Sequence, residues 1–131
     1  MDTRQPPKIL VIEDNVAIQK GTEGALHWFG CKVDIVSCGY EALEKNILNY
    51  DLILLDMGLP DISGIEVCKK IRSRYRNLSI PPIIAYSAGV KTTTQECHDA
   101  GINECVTKPL LLDGFASLLK RYLNWERKKR N

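Results

Sequence analysis

Four places in this 131-residue chain carry side chains suited to acting together on a charged substrate. Glu13 and Asp14 follow the apolar run 9–12, Asp56 follows 52–55, Ser87 follows 83–86, and Lys108-Pro109 follows 104–107. Each alone has an ordinary explanation. An acidic residue after a strand is commonly a turn former or helix cap, a serine there a turn residue, and a lysine before proline a solvated surface group. Their coincidence at the ends of four separate apolar runs is what points to chemistry. Carboxylates gathered at one edge repel each other, and in isolation one of them holds a proton. A hard divalent cation relieves that repulsion. Mg²⁺ takes oxygen ligands in an octahedral array, keeps several waters, and is usually held by one or two carboxylates and a phosphate. Lys108 adds a compact positive charge suited to a phosphoryl oxygen, and Ser87 adds a hydroxyl donor for another.

The elements that must position these groups follow from the apolar pattern. Short apolar runs occur at 9–12, 33–36, 52–55, 83–86 and 104–107. The third and fourth are nearly continuous Leu, Ile and Ala, as in strands buried on both faces of a parallel sheet. Helix-length stretches separate them. Asn15 is placed to cap a helix running to about Phe29, with Gly30 as its stop. Residues 39–48 follow, then 64–75 with Ile65, Val67, Cys68 and Ile71 on one stripe. The stretch 91–100 is weakened by β-branched Thr92, Thr93 and Thr94, and 110–124 carries Leu111, Leu112, Phe115, Leu118, Leu119 and Tyr122. Strand and helix thus alternate five times, which predicts an α/β fold: a five-stranded parallel sheet with helices on both faces. Ligands bind such sheets outside the carboxyl ends of the strands, where the polar groups lie. Leu59-Pro60-Asp61 turns the chain after Asp56, and Gly64 opens the next helix. Gly21 and Gly24 fall inside the first helix, where each costs about 1 kcal/mol relative to Ala; close packing and plain weakening both account for them.

Composition bounds the function classes. Hydrophobic residues make 44% and charged residues 26%, ordinary for one soluble domain. No apolar run approaches the ~20 residues of a membrane span, and the start MDTRQPP is no signal peptide. Five cysteines, an odd number without a CxxC pair, predict reduced, buried thiols and a cytoplasmic setting. His27 and His98 lack partners at zinc spacing. The net charge of +2 divides into +5 over residues 119–131 and −3 over 1–118, so bulk charge gives no support to nucleic-acid binding. The basic end, with Trp125 beside it, reads as a solvated helix end. Residues 1–7, with Pro6 and Pro7, are expected to be a linker or frayed terminus, 8–124 the folded domain, and 125–131 a basic tail.

The segments KILVIEDN (8–15), YDLILLDMGLPDISGIEV (50–67), PPIIAYSAG (81–89) and AGINECVTKPL (100–110) together resemble the receiver domains of response regulators in two-component signalling, over about residues 8–124. The resemblance implies the flavodoxin-like (βα)5 receiver fold. It implies that Asp56 is the phosphoacceptor and that Glu13 and Asp14 position Mg²⁺ with the backbone carbonyl of Gly58. It places Ser87 as the switch hydroxyl, Lys108 as the phosphoryl-binding lysine, Met57 and Ala88 beside the phosphoryl group, and a cis peptide at Lys108-Pro109. The implied donor is a phosphohistidine on a histidine kinase or phosphotransfer domain. The implied cycle is phosphorylation and slow autodephosphorylation, without multiple turnover, in a monomer or weak dimer making no direct contact with nucleic acid or membrane. The first helix and the loop after Lys108 are the expected docking face, with Val16, Ala17 and Leu110 as apolar contacts; Trp28 and Phe29 read as helix-end packing.

One position departs from the pattern. The residue three before the lysine, usually Tyr or Phe in these domains, is Cys105. A thiol cannot reproduce the swing of a ring, and strand alternation puts Tyr86 on the opposite face, so a relay or phosphate sink with little output is the alternative. The stretches VIEDNVAIQK and GCKVDIVSCGYEALEK resemble receivers fused to hybrid histidine kinases, and both a stand-alone receiver and a piece of a larger hybrid fit. Three rivals are weaker. Aspartyl-phosphate phosphatases place a second acid where Gly58 stands, a flavin phosphate would meet the repelling Glu13-Asp14, and a nucleic-acid module has only the basic end in its favour.

Overall fold

The computed structural model describes residues 4–88 and 94–127. Five strands, β1 (Lys8–Ile12), β2 (Lys32–Val36), β3 (Leu52–Asp56), β4 (Ile83–Ser87) and β5 (Glu104–Thr107), form one parallel sheet in the order β2-β1-β3-β4-β5. The chain adds β2 on one side of β1 and then crosses to β3 on the other, and this reversal opens a crevice at the strand ends. Ile12 lies opposite Leu55, Asp56 opposite Tyr86, and Ser87 opposite Thr107. That register brings Glu13 and Asp56 level at one edge, with Ser87 and Lys108 one and two residues further out on the neighbouring strands.

The helices are α1 (Val16–Trp28), α2 (Gly39–Glu44), α3 (Gly64–Arg74), α4 (Thr94–Ala100) and α5 (Leu112–Leu123). Strand alternation divides the core between two layers. Leu10, Ile12, Ile53, Leu55 and Ala85 face Ala42, Val67, Ile71 and Ala100 of α2, α3 and α4. Ile9, Val11, Leu54 and Ile84 face Leu26 of α1 and Phe115, Leu118 and Leu119 of α5. Strands β3 and β4 are buried on both sides, which is why they read as continuous apolar runs. The expected cap and stop of α1 are present, since Asn15 Oδ1 accepts the Ile18 N–H at 3.0 Å and Gly30 takes φ +85° after the helix; α3 gains a further cap, Ser63, whose Oγ accepts the Glu66 N–H at 3.2 Å.

Several boundaries differ from expectation. The helix predicted over 39–48 stops at Glu44; Lys45 is extended, and Asn46 starts a separate 3-10 turn, Ile47–Asn49, that buries Ile47. The helix predicted over 110–124 starts at Leu112, because Leu111 is extended, and it ends where Asn124 turns left-handed at φ 50°. Of the helix predicted over 91–100, residues 91–93 lie outside the described residues. Thiol burial is uneven: Cys31, Cys68 and Cys97 are buried, Cys38 is half-buried and Cys105 is exposed. Trp125, the first residue of the expected tail, is buried, and its Nε1–H donates to the Phe29 carbonyl at 2.7 Å. The Arg127 guanidinium lies 3.8 Å from the ring centre of Trp28, so the chain after α5 folds back on the end of α1. Residues 128–131 lie outside the described residues. No described helix is long and apolar enough to cross a membrane.

Two stability predictions arise from these contacts. A Cβ at Gly21 or Gly24 would meet nothing within 4 Å, so neither glycine serves internal packing. Gly21→Ala and Gly24→Ala should each raise stability by about 0.5–1 kcal/mol, read as a higher urea midpoint; a lower midpoint for both would contradict this. Separately, α5 is tied to β5 where the Arg121 guanidinium and the Tyr122 hydroxyl donate to the Glu104 carboxylate. The Arg121 hydrogen bond is the main influence holding the Glu104 pKa below its ordinary 4.5. A depressed carboxylate pKa stabilises the fold above the unfolded value, and that stabilisation is lost as pH falls through the folded value. Wild type should therefore exceed Glu104→Gln by up to about 1 kcal/mol near neutral pH. Urea midpoints of the two proteins should draw together as pH falls below the ordinary carboxylate range.

Candidate functional site

The site is built at the carboxyl edge of the sheet from the ends of four strands. Glu13 leaves β1 completely buried, and Asp56 ends β3 at 3% exposure. Asp14 is exposed beside them. The three carboxylates each offer an oxygen, all within 4.8 Å of one another. Lys108, reaching in from the end of β5, puts Nζ 3.0 Å from Glu13 Oε1 and 3.1 Å from Asp56 Oδ1. Asp56 Oδ1 also accepts the Gly58 N–H at 3.0 Å, and Glu13 Oε2 accepts the Asn15 N–H at 3.0 Å. The Lys108–Pro109 peptide is cis.

Two buried acids and one lysine set the protonation order. Burial would raise the Asp56 pKa, but the Gly58 N–H, Glu13 and Lys108 outweigh it and hold the carboxyl below the ordinary value. Burial raises Glu13, and neighbouring Asp56 adds to the rise against the Asn15 N–H and Lys108. Glu13 is therefore the member that takes up a proton first, and Asp56 is kept ionised. Burial works against the Lys108 cation, but the two carboxylates prevail and raise its pKa.

The donor set fits a hard divalent cation. All three side chains present carboxylate oxygens within reach of one another, and they face a single lysine. The cluster therefore keeps a net negative charge that a divalent cation would offset.

The structure brings together Glu13, Asp14, Asp56, Gly58 and Lys108. Ser87 ends β4, and its carbonyl accepts the Lys108 N–H at 2.8 Å, while Ala88 is exposed just beyond it. Cys105 lies on the face of β5 turned to α4, where its Sγ is 2.7 Å from Cys97 Sγ. Tyr86 does face away from that side, packing with the α1 and α5 layer, and its ring centre lies 4.9 Å from Lys108 Nζ.

Other supporting contacts escape sequence reasoning. Gln19 Nε2 donates to the Glu13 carbonyl at 2.5 Å and to Ser37 Oγ at 3.2 Å, pinning the loop that carries the acidic pair. Its position one turn after Asn15 is the sole local signal. Asp61 accepts the Gly39 and Tyr40 N–H groups at 2.9 and 2.8 Å, so it ties the loop after Asp56 to the start of α2. Burial opposes ionisation there, but the Tyr40 and Gly39 amides prevail and hold Asp61 well below the usual carboxylate range.

Comparison with known proteins is decisive at this point: a family model described as the response regulator receiver domain matches residues 9–120. The chain belongs to the response regulator receiver family. It is 36% identical over 122 residues to hybrid signal transduction histidine kinase L of Dictyostelium discoideum, a match covering 88% of this chain and 7% of that protein. It is 32% identical over 118 residues to the aerobic respiration control sensor protein ArcB of Escherichia coli, covering 87% of this chain and 15% of that protein. The chain thus spans a small part of the length of these relatives. Among solved structures, it is similar to the receiver domain of sensor histidine kinase PA1611 from Pseudomonas aeruginosa, which has a magnesium ion coordinated in its active-site cleft. That match has a TM-score of 0.76 and 30% identity, covering 92% of this chain and 99% of the other. The receiver's five-stranded parallel sheet with helices on both faces is the fold expected from the alternation of strands and helices.

Proposed function

We propose that this receiver accepts a phosphoryl group on Asp56 from a phosphohistidine, with Mg²⁺ bound at Glu13, Asp14, Asp56 and the Gly58 carbonyl, and loses it slowly to water. The observation that carries the reading is the buried, ionised Asp56 held by Gly58 and Lys108 beside two further carboxylates. When bound, the cation supplies charge neutralisation and orientation of the phosphoryl oxygens. The protein's own groups do the rest. Gly58 N–H and Lys108 fix Asp56 Oδ1, so the attacking atom is Oδ2, which carries neither bond. Its attack on phosphorus forms the acyl phosphate as the histidine nitrogen leaves. Lys108 transfers its attraction from the carboxylates to a phosphoryl oxygen, and Ser87 donates to another. The small Ala88 and neighbouring Met57 leave room at the edge. Catalysis here is positioning and electrostatics, with no separate base required.

The proposed donor is the histidine of a kinase or phosphotransfer domain. Val16 at the start of α1 is 59% exposed, and an apolar groove of about 890 Å³ runs beside it between α1 and the β5–α5 loop, lined by Ala17, Gly21, Leu110 and Phe115. We place the receiver unit at 8–124 and read it as a module of a hybrid histidine kinase, in line with the relatives it resembles. A relay or sink role is the second reading, favoured by Cys105, whose partner is a thiol on α4 and not an aromatic switch.

Incubation with acetyl phosphate and Mg²⁺ tests the reading by intact mass. One phosphoryl addition is expected, absent when the cation is chelated. Asp14→Asn should raise the Mg²⁺ concentration giving half-maximal modification about tenfold or more, as a lost carboxylate ligand weakens a hard-cation site. No addition to the wild-type protein with Mg²⁺ would overturn the proposal.

A further inference from the structure

We infer that Cys97 and Cys105 form a redox-modifiable pair that closes to a disulfide, stapling α4 to β5. Neither thiol has a part in the phosphoacceptor chemistry, and the inference does not depend on it. The two sulfurs are 2.7 Å apart, closer than ordinary nonbonded sulfur contact, across eight residues of chain. Closure to a disulfide needs about 2.05 Å, so the approach demands less than an ångström of side-chain movement. Exposure assigns different tasks to the two. Cys105 is exposed on the edge strand, whereas Cys97 is buried at 4%. An outside oxidant therefore meets Cys105, and Cys97 is the resolving thiol. The third thiol of this layer, Cys68, is engaged elsewhere, since its Sγ–H donates to the Ala100 carbonyl at 3.0 Å.

The chemistry balances with a small disulfide such as oxidised glutathione as oxidant. Cys105 releases its proton to solvent and attacks one glutathione sulfur; a glutathione thiolate leaves, and a mixed disulfide remains on Cys105. Cys97 releases its proton and attacks Cys105 Sγ; the Cys97–Cys105 bond forms as the second glutathione thiolate departs. Two protein thiols are oxidised, one glutathione disulfide is reduced to two thiols, and the released protons are taken up by the leaving thiolates. Burial and the adjacent Cys97 push the Cys105 thiol up to about 12, with Glu104 adding to the rise. Thiolate is scarce at neutral pH, so the exchange is slow there and quickens with rising pH. Closure clamps α4 to the strand that ends at Lys108.

The test equilibrates the full folded chain with oxidised glutathione at mildly alkaline pH, then alkylates it in denaturant and reads its mass. Cys97 and Cys105 should become unreactive without gaining glutathione mass, and dithiothreitol should restore them. Cleavage after Glu104 separates the two cysteines in sequence, so the fragments should stay joined until reduced. Cys97→Ser should stop at one glutathione on Cys105, and Cys105→Ser should form no link in this layer. Cys68→Ser should still close the pair, with circular dichroism confirming that each variant is folded. Five alkylatable thiols in the equilibrated wild type, or a link from Cys97 to Cys68, would overturn the inference.

Discussion

Asp56→Asn should abolish phosphoryl incorporation and at the same time make the protein more stable when divalent cations are chelated. The first half follows from removing the nucleophile: an amide oxygen does not form the acyl phosphate, so the mass addition seen with acetyl phosphate should fall to background. The second half follows from charge. Glu13 and Asp56 are both buried and share one lysine. Asp56 itself is held ionised by Gly58 and Lys108, but its charge falls on buried Glu13, whose pKa it helps to raise, and that cost is what the substitution removes. Asn keeps the shape and still accepts from the Gly58 N–H and Lys108, while leaving Glu13 and Lys108 as a matched pair. The relief of Glu13 is set against the loss of the charge-assisted bonds of Asp56, so a net gain of up to about 1 kcal/mol is expected, as for a site arranged for function and not for stability. Urea denaturation in a chelator measures it. Saturating Mg²⁺ should narrow the difference, because a ligand that binds only the folded wild-type site stabilises it by mass action. A variant less stable than wild type in the chelator would sink the electrostatic account.

Gly64→Ala should be damaging at a position that sequence reading treats as an ordinary helix start. A Cβ there would lie 2.9 Å from the Asp56 carbonyl oxygen, 3.0 Å from Met57 Cα and 2.8 Å from Met57 Sδ. The sulfur can move aside, but the two backbone atoms belong to the end of β3 and the segment that presents Gly58 to the site. Insertion of a methyl into such a contact costs about 1–3 kcal/mol. The shift needed to relieve it displaces the Gly58 N–H from Asp56, so phosphorylation should also slow. Gly58→Ala is the informative comparison: its Cβ would meet Asp56 Oδ1 at 3.9 Å, an ordinary contact, and its stability should stay within about 1 kcal/mol of wild type. The pair is read from urea midpoints at unchanged slope, together with the rate of acetyl-phosphate modification. Equal stability of Gly64→Ala and wild type would show that the loop yields more easily than its packing indicates.

Strands, fold class and the groups at the strand ends are legible in the order of residues alone. These are local properties. Alternation and run length mark Leu52–Asp56 and Ile83–Ser87 as strands buried on two sides, and the polar residue ending each run is placed at the edge by the strand itself. Asn15 caps its helix through a contact three residues away, which a sequence displays directly. What lies across a gap emerges only once the elements pack together. The sheet order sets Glu13 level with Asp56, and burial of both around Lys108 then decides which acid keeps its charge. The fold of the loop after Asp56 makes Gly64 intolerant of a methyl and sends Asp61 to α2. The packing of α4 on β5 turns two cysteines without a CxxC spacing into neighbours. The physical reason is the same in each case. Periodicity encodes which face of an element is buried, whereas proximity between elements and the field it creates arise only when the long-range contacts close.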